Sequence, residues 1–575
     1  MSARKSVRLV ELRVLEGPNL YFTRPAVKLT LAVPGWLTAR EERVAQIARR
    51  ARVPGRSAPR PGPAGSEQRR RFVARVAAHV SRSLAEAAGS HVGVRARPGH
   101  QRSDIVVAFP WRRREAARAL GREIEDILGL LLGSRKTFRH LVGEAAARVA
   151  REDPGPAPTV PTPEIPVIAV TGTNGKTTTV RLLAHLLATA GLRVAYTSTD
   201  GVFVDGELVE KGDYSGPSGA AMALGRAGVE AVVLEVARGG ILLKGIGTAH
   251  NDVAVVTNVS ADHLGLHGIF TLDQLAEVKS TITRITKQDG WDVLNADDPR
   301  VLAMRGRARG RPFLFSLDPD HPAIRTVLAE RGRAMAPLDG SLVLLSPGPQ
   351  VTPLLRLEDV PVTLAGISSH HVQNAMAATA AALGVGLGRD VVVRGLRSFV
   401  PDPETNPGRA NLFEFEGRIV VVDYAHNEAG MRGLVEICEG LRPAGGEIWL
   451  AYGSAGDRSD EIMHAMGYVA ARGAEHVAVV ELHRYLRGRD PQDVVDRLRA
   501  GARDGGVEEV LAFPDEVRGL RWMLEQSRSD DVLAVTALAQ RPEIFDLLTE
   551  QGGRRVGPAR CRQLVLRARS AAITA

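Results

Sequence analysis

The chain is 575 residues long, 44% apolar and 24% charged, which excludes disordered and fibrous classes and gives length for roughly three or four domains. Two cysteines, Cys438 and Cys561, exclude a disulfide framework and a cysteine-built metal cluster. The net charge of +10 is uneven, because residues 1–150 hold 30 Lys and Arg against 12 Asp and Glu, a balance of +18 that leaves −8 for the remainder.

The opening MSARKSVRLVELRV lacks the apolar core of a secretion signal, and the densest apolar run, Ile127–Leu132, is too short to span a bilayer. A cytoplasmic protein with no membrane partner is therefore expected. Val7–Leu15 alternates as a strand does and leads into the turn Gly17-Pro18-Asn19. Residues 53–66 are too rich in Pro and Gly to be expected to pack. A helix over Arg69–Ala88, a strand over Ile105–Phe109 and a helix over Arg113–Leu132 complete a small basic α+β domain, residues 1–150. Its charge suits an anionic partner, although arginine is abundant along the whole chain. Few aromatics and no recognisable module argue against nucleic acid.

Residues 151–165 are a Pro-rich linker, a stiff spacer. Beyond it, apolar strands at Val167–Val170, Ala231–Glu235 and Val253–Thr257 alternate with helical runs, the rhythm of a parallel α/β sheet, in a central domain over residues 166–405. A second α/β domain, residues 406–575, carries strands at Ile419–Val422, Ile448–Tyr452, His476–Val480 and Val532–Val535.

The strongest local signal is Gly172-Thr173-Asn174-Gly175-Lys176-Thr177-Thr178, placed between the strand at Val167 and a helix over Thr179–Ala190. Glycines there let backbone N–H groups close on phosphate oxygens, the helix N-terminus adds its positive end, and Lys176 can neutralise the outer phosphates. Thr177 has the hydroxyl to hold Mg²⁺, although the loop is two residues shorter than the common form. Glu235 ends an apolar strand, where the carboxyl edge of a parallel sheet faces the ligand crevice. His263 and His267, in Asn258-Val-Ser-Ala-Asp262-His263-Leu-Gly-Leu-His267-Gly, have a spacing that would let them share one metal on a helix.

Taken together these motifs resemble the Mur ligase family. Gly172–Thr178 is similar to that family's ATP loop, Asn258–Gly268 to its Asp-His-Leu patch, and Leu294-Asn295-Ala-Asp297-Asp298 to its nucleotide-side segment. His371-Val-Gln-Asn374, Gly408-Arg409 and Asp423-Tyr424-Ala-His426-Asn427 are similar to the motifs that hold adenine and ribose, and Gly453-Ser-Ala-Gly456-Asp457-Arg458 completes the pattern over residues 166–575. Leu234–Leu242, Asn406–Phe413, Leu486-Arg-Gly-Arg489 and the opening Arg13–Asn19 resemble the cyanophycin synthetase branch, as does Gly265, where cell-wall members carry aspartate. That branch has a large ATP-grasp domain, and here a Pro-rich spacer stands in its place.

The resemblance implies an ATP-dependent ligase that activates a carboxylate as an acyl phosphate and joins it to an amine. It implies catalytic roles for Lys176, Glu235, His263 and Lys279, the last in a helical segment over Leu275–Ile285 where the family carries a lysine carboxylated by CO₂. Nucleotide binding is expected at Gly172–Thr178, Asn295, Asn374, Arg409 and Asp423, and Mg²⁺ at Thr177, Glu235 and His263. Implied partners are ATP, an acidic amino acid, peptide or polymer, an amino acid as amine donor, and a separate ATP-grasp protein, with room for a homo-oligomer. The competing reading is a nucleotide-gated binding or scaffold subunit serving such a separate ligase.

Overall fold

The structure is a computed structural model that describes residues 6–54, 60–348 and 350–574. Two compact units divide it. One comprises the residues up to Pro163 together with Gly216–Ala221 and Val236–His250, and the other the remainder.

In the first unit, β1 (Arg8–Leu15), β2 (Ala26–Ala32), β3 (Arg95–Pro98) and β4 (Asp104–Pro110) form an antiparallel sheet in the order β1-β2-β4-β3. Its apolar face packs under helices Glu67–Ala87, Arg114–Gly133 and Phe138–Arg151, around Leu29, Trp36, Val76, Phe109 and Ile124. Residues 55–59 of the Pro/Gly stretch lie outside the described residues. The part that follows does pack, against expectation: Gly62 is buried, and its carbonyl accepts the Arg69 guanidinium at 2.7 and 3.1 Å. Burying a guanidinium requires carbonyl partners, and the irregular backbone of this stretch supplies one. The segment 236–250 belongs to this unit through backbone bonds, Glu16 N–H to Lys244 O at 2.8 Å and Ile246 N–H to Pro18 O at 2.6 Å.

The second unit holds two sheets. The larger is built from β5 (Val167–Thr171), β6 (Val194–Thr197), β7 (Gly201–Val204), β8 (Glu207–Lys211), β9 (Ala231–Glu235), β10 (Asn251–Val256), β11 (Thr286–Asn295), β12 (Arg311–Phe315), β13 (Arg333–Leu338), β14 (Ser341–Ser346) and β15 (Gln350–Arg356). Its order is β15-β14-β13-β12-β11-β10-β5-β9-β6-β7-β8. The centre is parallel as expected, but the flanks β14, β15, β7 and β8 pair antiparallel, so the sheet is mixed. Short hairpins, with Gly206 and Gly340 at positive φ in the turns, return the chain at each edge, where no helix is needed to cover two faces.

The smaller sheet runs through β16 (Asn411–Phe415), β17 (Arg418–Asp423), β18 (Ile448–Tyr452), β19 (His476–Val480), β20 (Leu511–Phe513), β21 (Val532–Thr536) and β22 (Arg554–Arg555), in the order β20-β19-β18-β21-β17-β16-β22. All but the β16 and β22 edge is parallel. The fold is thus α/β, with a P-loop sheet and a C-terminal α/β sheet preceded by a small α+β region. Among the described residues no helix is long and apolar enough to cross a membrane.

Candidate active site

Strand β5 is buried along its whole length because it lies between β9 and β10, parallel to both. Here successive connections leave in opposite directions, the switch point at which open parallel sheets bind ligands beyond their carboxyl ends. Three loops therefore meet: Gly172–Gly175 after β5, the Glu235 end of β9, and Thr257–Asp262 after β10.

The loop between β5 and the Lys176–Thr189 helix is held from the β10 side. Asn174 N–H donates to Asn258 Oδ1 at 2.9 Å, Thr257 Oγ1 donates to Asn174 O at 2.6 Å, and Thr173 N–H reaches Asn258 O at 2.9 Å. Asn295 stands behind this contact, its amide donating to Thr257 O at 2.8 Å. A Cβ on Gly172 would collide with the Thr257 hydroxyl, and one on Gly175, where φ is +84°, with the Asn374 amide oxygen. Asn374 is thereby brought to the loop, and the Asn406 amide donates to Thr178 Oγ1 at 3.4 Å. No side chain caps the helix that starts at Lys176, so its first-turn N–H groups face the crevice.

Thr177 Oγ1 donates to Glu235 Oε2 at 2.9 Å, while Glu235 Oε1 is buried without a partner. Burial pushes this carboxyl up, opposed by the charge of Lys176 and then by the Thr177 hydroxyl and Arg409. A buried carboxylate oxygen left without a donor, beside a threonine hydroxyl, fits a divalent cation. Lys176 Nζ folds back onto Thr173 O at 2.8 Å, a position from which it can swing to a phosphate. The donor set and the glycine cradle thus fit a nucleotide phosphate with Mg²⁺.

The helix that carries Lys279 ends sooner than expected. The helix expected over Leu275–Ile285 runs only over Leu272–Lys279 and ends at this residue. Its side chain is 3% exposed and donates to Gly172 O at 2.6 Å, so an isolated helical lysine lies against the phosphate loop rather than in solvent. His263 and His267 depart from the helical reading as well. Both have positive φ, 50° and 54°, in an irregular segment, so they cannot share a metal through helical spacing. His263 lies instead with Asp262, Asp457 and Arg458, and among the described residues no group of three or more His, Cys, Asp and Glu gathers as a metal site.

From the smaller sheet, Asp423 ends β17 and accepts Ala410 N–H at 2.8 Å; burial raises its carboxyl, against the pull of Arg409. The Arg409 guanidinium lies 4.2 Å above the Tyr424 ring. His371 is buried and pushed down to about 4 by that burial, helped by His370 and Arg409, so it is neutral. The Asn174 and Asn427 amides exchange hydrogen bonds of 3.1 and 3.0 Å and tie the two sheets' loops together.

Two groupings escaped the sequence reading. Arg458 lies 3.1 Å from Asp262 and donates to His263 Nδ1 at 3.0 Å, with His426 Nε2 3.6 Å from Asp262. Burial would raise the Asp262 carboxyl, yet His426, Arg458 and His263 hold it well below the usual carboxylate range. Asp200 bridges Arg181 and Arg541, each at 2.9 Å. The signal for the second was Arg181 beside the apolar run of the helix Lys176–Thr189.

A P-loop sheet followed by a second, smaller α/β sheet defines the class, and the family patterns agree: the Mur ligase middle domain matches residues 170–382 and the Mur ligase glutamate ligase domain residues 408–538. The chain belongs to the Mur ligase family. It is 39% identical over 377 residues to cyanophycin synthetase of Synechocystis sp., covering 64% of this chain and 42% of that one. It is 30% identical over 387 residues to the UDP-N-acetylmuramoyl-L-alanyl-D-glutamate--2,6-diaminopimelate ligase of Alkalilimnicola ehrlichii, 65% of this chain and 72% of that protein. The chain spans less than half the length of the cyanophycin synthetase it matches. A bifunctional folylpolyglutamate synthase/dihydrofolate synthase solved with Mn, AMPPNP and L-glutamate bound shares the fold, with a TM-score of 0.51 at 18% identity over 68% of this chain and 91% of that one.

Proposed function

We propose that this protein is an ATP-dependent carboxylate–amine ligase that forms an amide through an acyl phosphate. The observation that carries the reading is Glu235, a buried carboxylate with one oxygen unpartnered, set against Thr177 and Lys176 at the mouth of the phosphate loop. Lys176 stabilises the charge that spreads over the transferring phosphoryl oxygens when a substrate carboxylate attacks the γ-phosphate of ATP. Thr177 and Glu235 would hold Mg²⁺. Bound there, Mg²⁺ supplies Lewis-acid neutralisation of phosphate charge. Asn295, Asn374, Arg409 and Asp423 hold the nucleoside, and an amino acid amine then displaces phosphate from the activated carboxyl. Carboxylation of Lys279 by CO₂ would exchange an ammonium for an anion beside the loop.

The carboxylate donor is an acidic amino acid, peptide or polymer. Supporting this is a groove of ≈ 380 Å³ in the basic N-terminal unit, lined by Arg75, Arg82 and Arg95, none of which is paired with a carboxylate among the described residues. Arg75 and Arg82 stand seven residues apart on one helix, about 10 Å along its axis, the reach of about three extended residues of a bound chain.

The test is ADP release measured for each amino acid with and without acidic oligopeptides such as oligoaspartate. Turnover that needs both an acid and an amine supports ligation. Nucleotide binding with no turnover for any pair would favour a scaffold subunit serving a separate ATP-grasp ligase.

A further inference from the structure

The Leu486-Arg-Gly-Arg489 segment has no part in the reaction as described, yet it is packed against the loop that is. After β18 the chain turns through Gly453–Ser459, and from this loop Arg458, 7% exposed, reaches Asp262 and His263 at the end of the P-loop sheet. Gly456 N–H donates to Tyr485 O at 2.9 Å, and a Cβ on Gly456 would collide with the Leu486 carbonyl. The close approach depends on a tight reversal in which Arg487 and Gly488 have φ of 54° and 87°. Arg489 emerges from that reversal and spreads its guanidinium over three segments. Nη1 donates to Arg458 O at 3.1 Å, Nη2 to Asp460 at the start of the Asp460–Gly473 helix, and Nε to Asp493 on the Pro491–Asp504 helix.

We propose that Arg489 is a positioning residue for the ligation: by gripping the Arg458 carbonyl and Asp460 together it fixes the loop from which Arg458 clasps Asp262 and His263. The fixed fork of a guanidinium can serve three acceptors in different directions, whereas the ammonium of lysine offers a single centre on a flexible stem. Arg489 therefore acts through Arg458 and touches no substrate. Its role in ligation rests on the function proposed above, but its hold on Arg458 does not.

The experiment labels histidines with diethyl pyrocarbonate and reads each site by mass spectrometry, because Arg458 covers His263 Nδ1. Arg489→Ala should label His263 about tenfold faster than the wild type, matching Arg458→Ala, and the double variant should add nothing further, as expected of residues acting in series. Arg489→Lys should fall between. His476, stacked on Trp449 with ring centroids 3.7 Å apart, reports the fold of the smaller sheet. If its labelling also rises in Arg489→Ala, the lysine variant is read by the same rule. Unchanged His263 labelling, or effects of the two arginines that multiply, would overturn the proposal. Where the wild type turns over, the arginine variants should lose kcat with little change in KM for ATP. A wild type that never turns over sinks the ligase reading, and the labelling still decides the positioning.

Discussion

Glu235 sits where stability and function pull in opposite directions. Its burial raises its pKa, so holding the carboxylate charged costs the folded state, and the Lys176 charge, the Thr177 hydroxyl and Arg409 offset that only in part. Glu235→Ala should therefore lower ATP turnover by about 100-fold while leaving the melting temperature equal or higher, a signature of strain kept for a ligand. Added Mg²⁺ should restore part of the activity. A variant that melts earlier, with unchanged Mg²⁺ dependence, would make Glu235 a structural residue. Lys279 gives a complementary case. Lys279→Ala should lose activity and recover some with a small carboxylic acid such as acetate at high concentration, and full activity without it would remove the lysine from the chemistry. Lys176, Thr177 and Glu235 were readable because each occupies a fixed offset from a strand end. The burial of Lys279 was not, since it depends on Gly172, which the fold brings from 107 positions away.

At the level of elements, apolar strands such as Val167–Thr171 and Val532–Thr536 were legible within a residue because a continuous β-branched run buried on both faces has few other uses. The β8 edge and the end of the Leu272–Lys279 helix were not, since the exposed and charged β8 lacks that run and the helix stops without a glycine or proline marking it. One strand carries a pH-sensitive group. Asp292 in β11 is raised to about 7 by burial, against bonds from Thr286 Oγ1 and Gly310 N–H, each at 2.7 Å. A carboxyl whose folded pKa lies above its unfolded one stabilises the fold while protonated, and this contribution is lost as pH rises from about 4 through about 7. Asn at this position mimics the protonated acid, donating to Thr286 and accepting from Gly310. The advantage in unfolding free energy of Asp292→Asn over the wild type, measured by denaturant titration, should thus grow between pH 4 and pH 8, by an amount on the order of a few kcal/mol. A constant difference across that range would show that Asp292 stays charged.

At the scale of the whole molecule, charge and chain path matter most. If the basic N-terminal unit holds an acidic substrate, replacing Arg75, Arg82 and Arg95 with serine should raise the KM for long oligoaspartate more than for aspartate itself. The difference should vanish in about 0.5 M salt, where exposed charges are screened within a few ångströms. Equal effects on long and short substrates would detach the groove from substrate binding. The charge imbalance behind this expectation was plain in the composition, whereas the groove was not, because it is lined from three separate stretches: Val53-Pro54, the Glu67–Ala87 helix and the chain at Val94–Ala96.

The unit that contains the first 163 residues also contains Gly216–Ala221 and Val236–His250, with Glu16 and Pro18 bonded to the latter segment. During synthesis it cannot be completed when its own sheet has emerged. It must wait for residues 164–250 to leave the ribosome, roughly 4–17 s at ordinary elongation rates. For that interval the Glu16 N–H and the Pro18 carbonyl lack their native partners, Lys244 O and Ile246 N–H, and Glu235 has been made before the segment directly after it has docked. The nascent chain therefore closes its first unit only after the phosphate loop and the carboxylate facing it have both been synthesised.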